Sequence, residues 1–136
     1  MGRRDDVIVL DTHVWLWWAA DRARLSGPAA DAIASADAVG IPAISAWEVA
    51  MLADRGRIEL DRSPSAWVRR ALSADARTVE LPLTSTIAVG AAGLGAEGMH
   101  WDPADRFILA TAVDHRALLV TRDTAIRTFA PDATVW

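Results

Sequence analysis

Apolar residues along this chain fall into short unbroken blocks, separated by longer stretches in which they recur at helical spacing. The first block, Val7–Leu10, is β-branched at three of its four positions and predicts a strand covered on both faces. Val14–Ala20 predicts a short helix. Gly27-Pro28 opens another that runs to about Asp37, with Pro28 in the first turn, where a missing N–H is harmless. Val39-Gly40-Ile41 reads as a second strand, and Ile44–Arg55 as a helix ended by Gly56. Ser63-Pro64 starts the next helix, with serine as N-cap and proline at the first helical position. Val79–Leu81 is a brief strand before Pro82, and Thr84–Leu94 a small-residue helix running into a glycine-rich loop, Gly93 to Gly98. The pattern then gives a helix over Asp102–His115, a strand over Ala117–Thr121, a helix over Thr124–Phe129 and a last strand over Ala133–Val135. Helices alternating with short apolar strands predict an α/β fold with a mostly parallel sheet. With no repeat, linker or break in the pattern, one domain over residues 1–136 is expected.

Composition narrows the function classes. The chain has 136 residues, 52% of them hydrophobic and 24% charged, enough to bury a core and unlike a disordered segment. No apolar run reaches the ~18 residues of a membrane span. The start, Met1-Gly2-Arg3-Arg4-Asp5-Asp6, turns acidic at once, and Asp11 interrupts the apolar stretch behind it, so it does not read as a signal peptide. A cytoplasmic protein is expected. Without cysteine there are no disulfides, thiolate nucleophiles or zinc–thiolate sites. Every basic residue bar histidine is arginine, and the absence of lysine removes phosphate-binding Walker loops and Schiff-base chemistry. The formal net charge of -4 argues against a grip on nucleic acid that relies on overall positive charge. Any such contact is local or bridged by metal ions.

Acids recur at one kind of joint. Asp11 follows the first strand, Asp123 follows the late strand by one residue, Glu48 lies in the first turns of the helix after the second strand, and Asp102 and Asp105 open the helix before the late strand. In open α/β sheets ligands bind beyond the carboxyl ends of the strands, so joints on one sheet edge would bring these acids into one pocket. Each acid also has a local explanation. Asp11, Asp102 and Asp123 fit helix N-caps, Asp105 fits the positive end of a helix, and Ser45-Ala46-Trp47-Glu48 fits a capping box with Ile44 and Val49 as its hydrophobic staple. Glu48 is the discriminating position. On a helical wheel it lies between Ile44 and Leu52, where a carboxylate is costly unless paired or bound to a metal.

Clustered carboxylates need a counter-charge, since two at about 5 Å repel by roughly 3 kcal/mol at an effective dielectric of about 20. No arginine adjoins Asp11 or Glu48 in the chain. A hard divalent cation, Mg²⁺ or Mn²⁺, suits an all-oxygen donor set and leaves positions open for phosphate and water.

The ordered set "VLDTHVWLW", "SAWEVA", "DPADRFILATA" and "LLVTRD" resembles the PIN-domain family, in particular its VapC-type ribonuclease toxins. The resemblance covers nearly the whole chain, from Val7 to Trp136. It implies a Rossmann-like three-layer α/β/α sandwich with a central mostly parallel sheet. It also implies a metal-dependent endoribonuclease with Asp11, Glu48, Asp105 and Asp123 as the acids that hold Mg²⁺ or Mn²⁺, cutting RNA to 5′-phosphate and 3′-hydroxyl ends. Asp102 belongs to the "DPxDR" form and is either a supporting ligand or a cap; Thr12 and Ser45 match hydroxyl positions near the metal and are also candidate caps. Arg106 and Arg122 are candidate phosphate contacts or balance for neighbouring acids. His13 adjoins Asp11 without being required, and His100 and His115 have less claim. The expected partners are an RNA substrate and a small cognate antitoxin, in a homodimer or a toxin–antitoxin hetero-oligomer, and no membrane.

The chain has seven tryptophans and no tyrosine. Trp15 and Trp18 share a helix face while Trp17 points elsewhere. Core packing, a protein interface and base stacking are all open to them. A haloacid-dehalogenase-type phosphatase would need an acid where His13 stands and a later lysine; a response-regulator receiver also needs a lysine. The remaining rival is a catalytically silent PIN-like fold that acts as a protein- or RNA-binding scaffold.

Overall fold

The computed structural model describes residues 6–99 and 102–136. Within them five strands, β1 (Val7–Leu10), β2 (Ala38–Pro42), β3 (Thr78–Leu81), β4 (Leu118–Val120) and β5 (Thr134–Val135), form one sheet in the order β3-β2-β1-β4-β5. Every pairing is parallel, with Ile8 opposite both Val39 and Leu118. Parallel pairing needs crossovers, and these are helices: α1 (Thr12–Ala20), α2 (Gly27–Ser35), α3 (Ala43–Asp54), α4 (Pro64–Ser73), α5 (Ser85–Ala96), α6 (Pro103–Asp114) and α7 (Thr124–Phe129). Short 3-10 turns at Arg22–Arg24 and Pro131–Ala133 complete the described elements.

The alternation of side chains along β1 sorts the core into two layers. Ile8 and Leu10 pack on one face with Val14, Trp15 and Trp18 of α1, Ile33 of α2 and Trp67 of α4. Val9 packs on the other with Ile108 and Leu109 of α6 and Ile126 of α7. The result is the expected α/β/α sandwich. Because β2 and β4 flank β1 on opposite sides and their helices cover opposite faces, the chain reverses direction across the sheet between β1 and β4. Crevices form at such reversals, beyond the carboxyl ends of the strands.

Several boundaries move. α1 begins at Thr12 rather than Val14, and α2 stops at Ser35. The proposed glycine-rich loop is partly helical, because α5 runs through Gly93 and Gly95 to Ala96. At Gly95 the missing side chain leaves room for Arg106 of α6: a Cβ there would meet the guanidinium at 2.7 Å. α5 ends instead at Gly98, whose φ of 99° suits a residue without a Cβ. Gly56, with φ of 70°, ends α3 in the same way, as expected. The serine cap at Ser63 forms, and Ser26, which the pattern did not mark, caps α2 in the same way, each accepting from a backbone N–H three residues on. Among the described residues no helix is long and apolar enough to cross a membrane. Met1 to Asp5, His100 and Trp101 lie outside the described residues.

Candidate active site

Asp11 is where the chain leaves β1. Its backbone N–H donates to the Val120 carbonyl at 3.0 Å, which fixes the end of β1 against the end of β4. The side chain is only 7% exposed. One carboxylate oxygen accepts from the Thr12 N–H at 2.8 Å, and the other accepts from the Thr121 hydroxyl at 2.7 Å. Thr121, fully buried, also accepts from the Asp123 N–H at 3.0 Å. One threonine thus ties together the two acids that end β1 and β4. The sequence did not single out Thr121; its place between the strand "LLV" and the acid Asp123 was the available signal.

Glu48 reaches the same place from α3. Because that helix starts at Ala43 with Pro42 at the cap position, Ser45 is not an N-cap and the capping-box explanation of Glu48 fails. The Thr12 hydroxyl lies 3.1 Å from Ser45 Oγ and hydrogen-bonds to the Glu48 carboxylate. An ionised carboxylate only accepts, so the Thr12 hydrogen goes to Glu48 and the Ser45 hydroxyl donates to Thr12. Thr12 and Ser45 are both buried, and neither caps a helix, since Asp11 holds the cap position of α1. They form a polar floor that orients Glu48.

Asp102 and Asp105 come from the start of α6. Asp102 is the cap, accepting from the Ala104 N–H at 3.0 Å, and Asp105 sits in the first turn. Asp123 caps α7, accepting from the Ile126 N–H at 2.9 Å. For these acids capping and pocket lining are not alternatives: a cap occupies the helix start, and these helices start at the crevice. Asp11, Glu48, Asp102, Asp105 and Asp123 line one cleft of about 440 Å³, together with His13, Trp17, Arg122 and Thr124.

The electrostatics are those of crowded anions. Burial raises the pKa of Asp11 against the lowering pull of its Thr121 and Thr12 hydrogen bonds. Burial also raises that of Glu48, with Asp11 and Asp102 adding to the effect. Asp105 is pushed up to about 8, first by burial and then by the charges of Asp11, Asp102, Asp123 and Glu48. The donor set is all oxygen and anionic, which fits a hard divalent cation. Among the described residues, however, no group of three or more acids or histidines already stands as a finished metal site.

The arginines divide. Arg122 lines the cleft and its guanidinium lies over the Trp17 ring at 5.9 Å. Arg106 is not among the lining residues; its guanidinium donates to the Met99 carbonyl at 3.3 Å. His13 lines the cleft beside Trp17, whereas His115 is at the far end of α6. Trp15 and Trp18 are core, with Trp15 meeting Trp67 edge-on at 5.1 Å. Trp47 is 56% exposed.

An all-parallel five-stranded sheet with acids gathered at its reversal point defines a class, and the chain belongs to it: it is a member of the PIN-domain family, whose model matches residues 8–130. It is 41% identical over 120 residues to ribonuclease VapC22 of Mycobacterium tuberculosis, a match that covers 88% of this chain and 89% of that one. This places it with the VapC-type members. Among solved structures, a toxin–antitoxin complex from Klebsiella pneumoniae shares the fold with a TM-score of 0.66 at 23% identity, covering 95% of this chain and 96% of that one. VapBC-1 from Haemophilus influenzae also has a TM-score of 0.66, at 16% identity over 94% of this chain and 95% of that one. VapBC2 from Rickettsia felis, bound to a promoter DNA fragment, has a TM-score of 0.65 at 14% identity, covering 95% and 97%.

Proposed function

We propose that this protein is a metal-dependent endoribonuclease, the toxin of a cytoplasmic toxin–antitoxin pair. The observation that carries the reading is the convergence of Asp11, Glu48, Asp105 and Asp123, from four separate segments, on one cleft. The VapC22 relative supports RNA as the substrate, and the toxin–antitoxin complexes among the structural neighbours support a small antitoxin as partner, in a hetero-oligomer or with the toxin as a homodimer.

Asp11, Glu48, Asp105 and Asp123 would hold Mg²⁺ or Mn²⁺, with Asp102 in support. When bound, such an ion supplies Lewis-acid polarisation of the phosphoryl oxygen and activation of water. The chain's own contribution is placement. Thr121 holds the Asp11 carboxylate, and Thr12, backed by Ser45, holds Glu48. Arg122, at the rim, is the nearer candidate for a phosphate oxygen. Water attacks phosphorus in line, the bond from phosphorus to the 3′ oxygen breaks, and that oxygen leaves with a proton. The products carry 5′-phosphate and 3′-hydroxyl ends.

The test is incubation of the purified protein with structured RNAs, with Mn²⁺ or Mg²⁺ and with EDTA. Cleavage is expected only with the cation, and Asp105→Asn is expected to lower it at least 100-fold, on the scale of a lost charge-stabilising group. Cleavage that survives EDTA would overturn the mechanism. RNA binding without any cleavage would favour the silent scaffold instead.

A further inference from the structure

Beside the acid cleft lies a larger groove of about 880 Å³, lined by α1, α4 and the segment between α3 and α4. Only His13 and Trp17 belong to both hollows. Trp17 is therefore a ridge between them. It is half-buried, and its ring is bordered by Trp136 at 5.8 Å and His13 at 6.0 Å. Two guanidiniums lie over it, Arg24 at 5.2 Å from the groove side and Arg122 at 5.9 Å from the cleft side. Arg57, Arg62 and Arg70 continue along the groove; Arg62 is paired with Asp61 at 3.0 Å.

We infer that Trp17 is a stacking platform for one nucleobase of a single-stranded RNA, with Arg24 and Arg122 taking the phosphates on either side of it. This rests on the nuclease reading for the identity of the strand. In a chain of net charge -4 the contact with a polyanion must be local, and here cations are held on an aromatic face at the lip of the cleft. Stacking of a base on an aromatic ring is stronger than an exposed cation–π contact, so an arriving base displaces a guanidinium from the ring and frees it for phosphate. Because every base has a π face, the platform fixes the register of the strand over the acids more than its sequence.

The test couples the indole to a single base. A short single-stranded RNA and the same strand made abasic at each position in turn are titrated against the full chain carrying Asp105→Asn, which leaves the RNA uncut. At one position, loss of the base is expected to weaken binding by about tenfold, within the range for base–aromatic stacking. Adding Trp17→Leu should abolish that base-dependent loss, and Trp17→Phe, which keeps a smaller ring and serves if the leucine variant does not fold, should reduce it. Arg24→Gln should weaken the intact strand more than the strand abasic at that position, where no base frees the guanidinium from the ring. An equal base-dependent loss with and without the indole, or no such position in any strand, overturns the inference. Failure of the unmodified protein to cut the same RNA with Mn²⁺ would overturn the nuclease reading while leaving the coupling, if observed, in place.

Discussion

Asp105 shows how one residue can be unstable in its setting and useful because of it. Its folded pKa of about 8 lies above the value of about 4 for a free carboxyl, so between these limits the folded state holds a proton that the unfolded chain has lost. Stability of the metal-free protein therefore falls as pH rises from about 4 to about 8. Thermal unfolding scans in EDTA across that range should show the decline, and Asp105→Asn should flatten it. Since carboxylates must ionise to bind a cation, Mn²⁺ uptake at pH 7 should release protons. Calorimetry in buffers of different ionisation enthalpy measures this, and a buffer-independent heat would contradict it. Thr121 makes the opposite case, a neutral residue on which two acids depend. Thr121→Val removes the buried donor to Asp11 and the part-buried acceptor for the Asp123 N–H, and should cost about 1–3 kcal/mol in a denaturant titration.

At the scale of elements, helix starts line the cleft, and glycines follow the ends of α3 and α5. α3, α5 and α6 all finish with the same paired backbone bonds: Arg57 to Leu52, Met99 to Leu94 and Ala117 to Ala112 are the member of each pair that reaches further back along the chain. The first two place glycine in the left-handed position, whereas α6 places Arg116 there, with φ of 53°. Arg116→Gly should relieve that conformation and raise stability by up to about 1 kcal/mol, while Gly56→Ala should lower it by about as much, both read from the denaturant midpoint. The strands were legible in the sequence because a strand buried on both faces is an unbroken apolar block, and β1 matched residue for residue. The acids were legible by their joints. What the pattern could not reveal was how capping and cleft lining share a residue: Asp102 and Asp123 satisfy the local rule for a helix start and also line the cleft. Nor could spacing decide where α3 begins, and that one residue-level fact separates a capping box at Ser45 from a buried hydroxyl beneath Glu48. Arg106 looked like a neighbour of the site because it follows Asp105, but a helix turns by about 100° per residue and carries its side chain toward Gly95 and Met99.

For the molecule as a whole, the net charge of -4 includes one crowded acidic hollow. Five carboxylates line one hollow, and three of them have pKa values raised by burial and by one another. A cation that binds only the folded state stabilises it by mass action. Mn²⁺ at about 100 times its dissociation constant should add about 2.7 kcal/mol and raise the melting temperature of the unaltered protein, and it should do much less for Asp11→Asn. Equal shifts in both would place the ion elsewhere.

The hydrogen bond from Thr121 to Asp11 spans 110 positions of the chain. Two of the four acids are translated early and two late, and β1 has no neighbour on its β4 side until the late segment emerges from the ribosome. A nascent chain that has not yet exposed Leu118 to Asp123 thus lacks Asp123 and the Thr121 hydroxyl that holds Asp11, and a polypeptide stalled there should take up Mn²⁺ more weakly than the full chain. If the protein cuts RNA, the cleft that does so is complete only once the segment carrying Thr121 and Asp123 has left the ribosome.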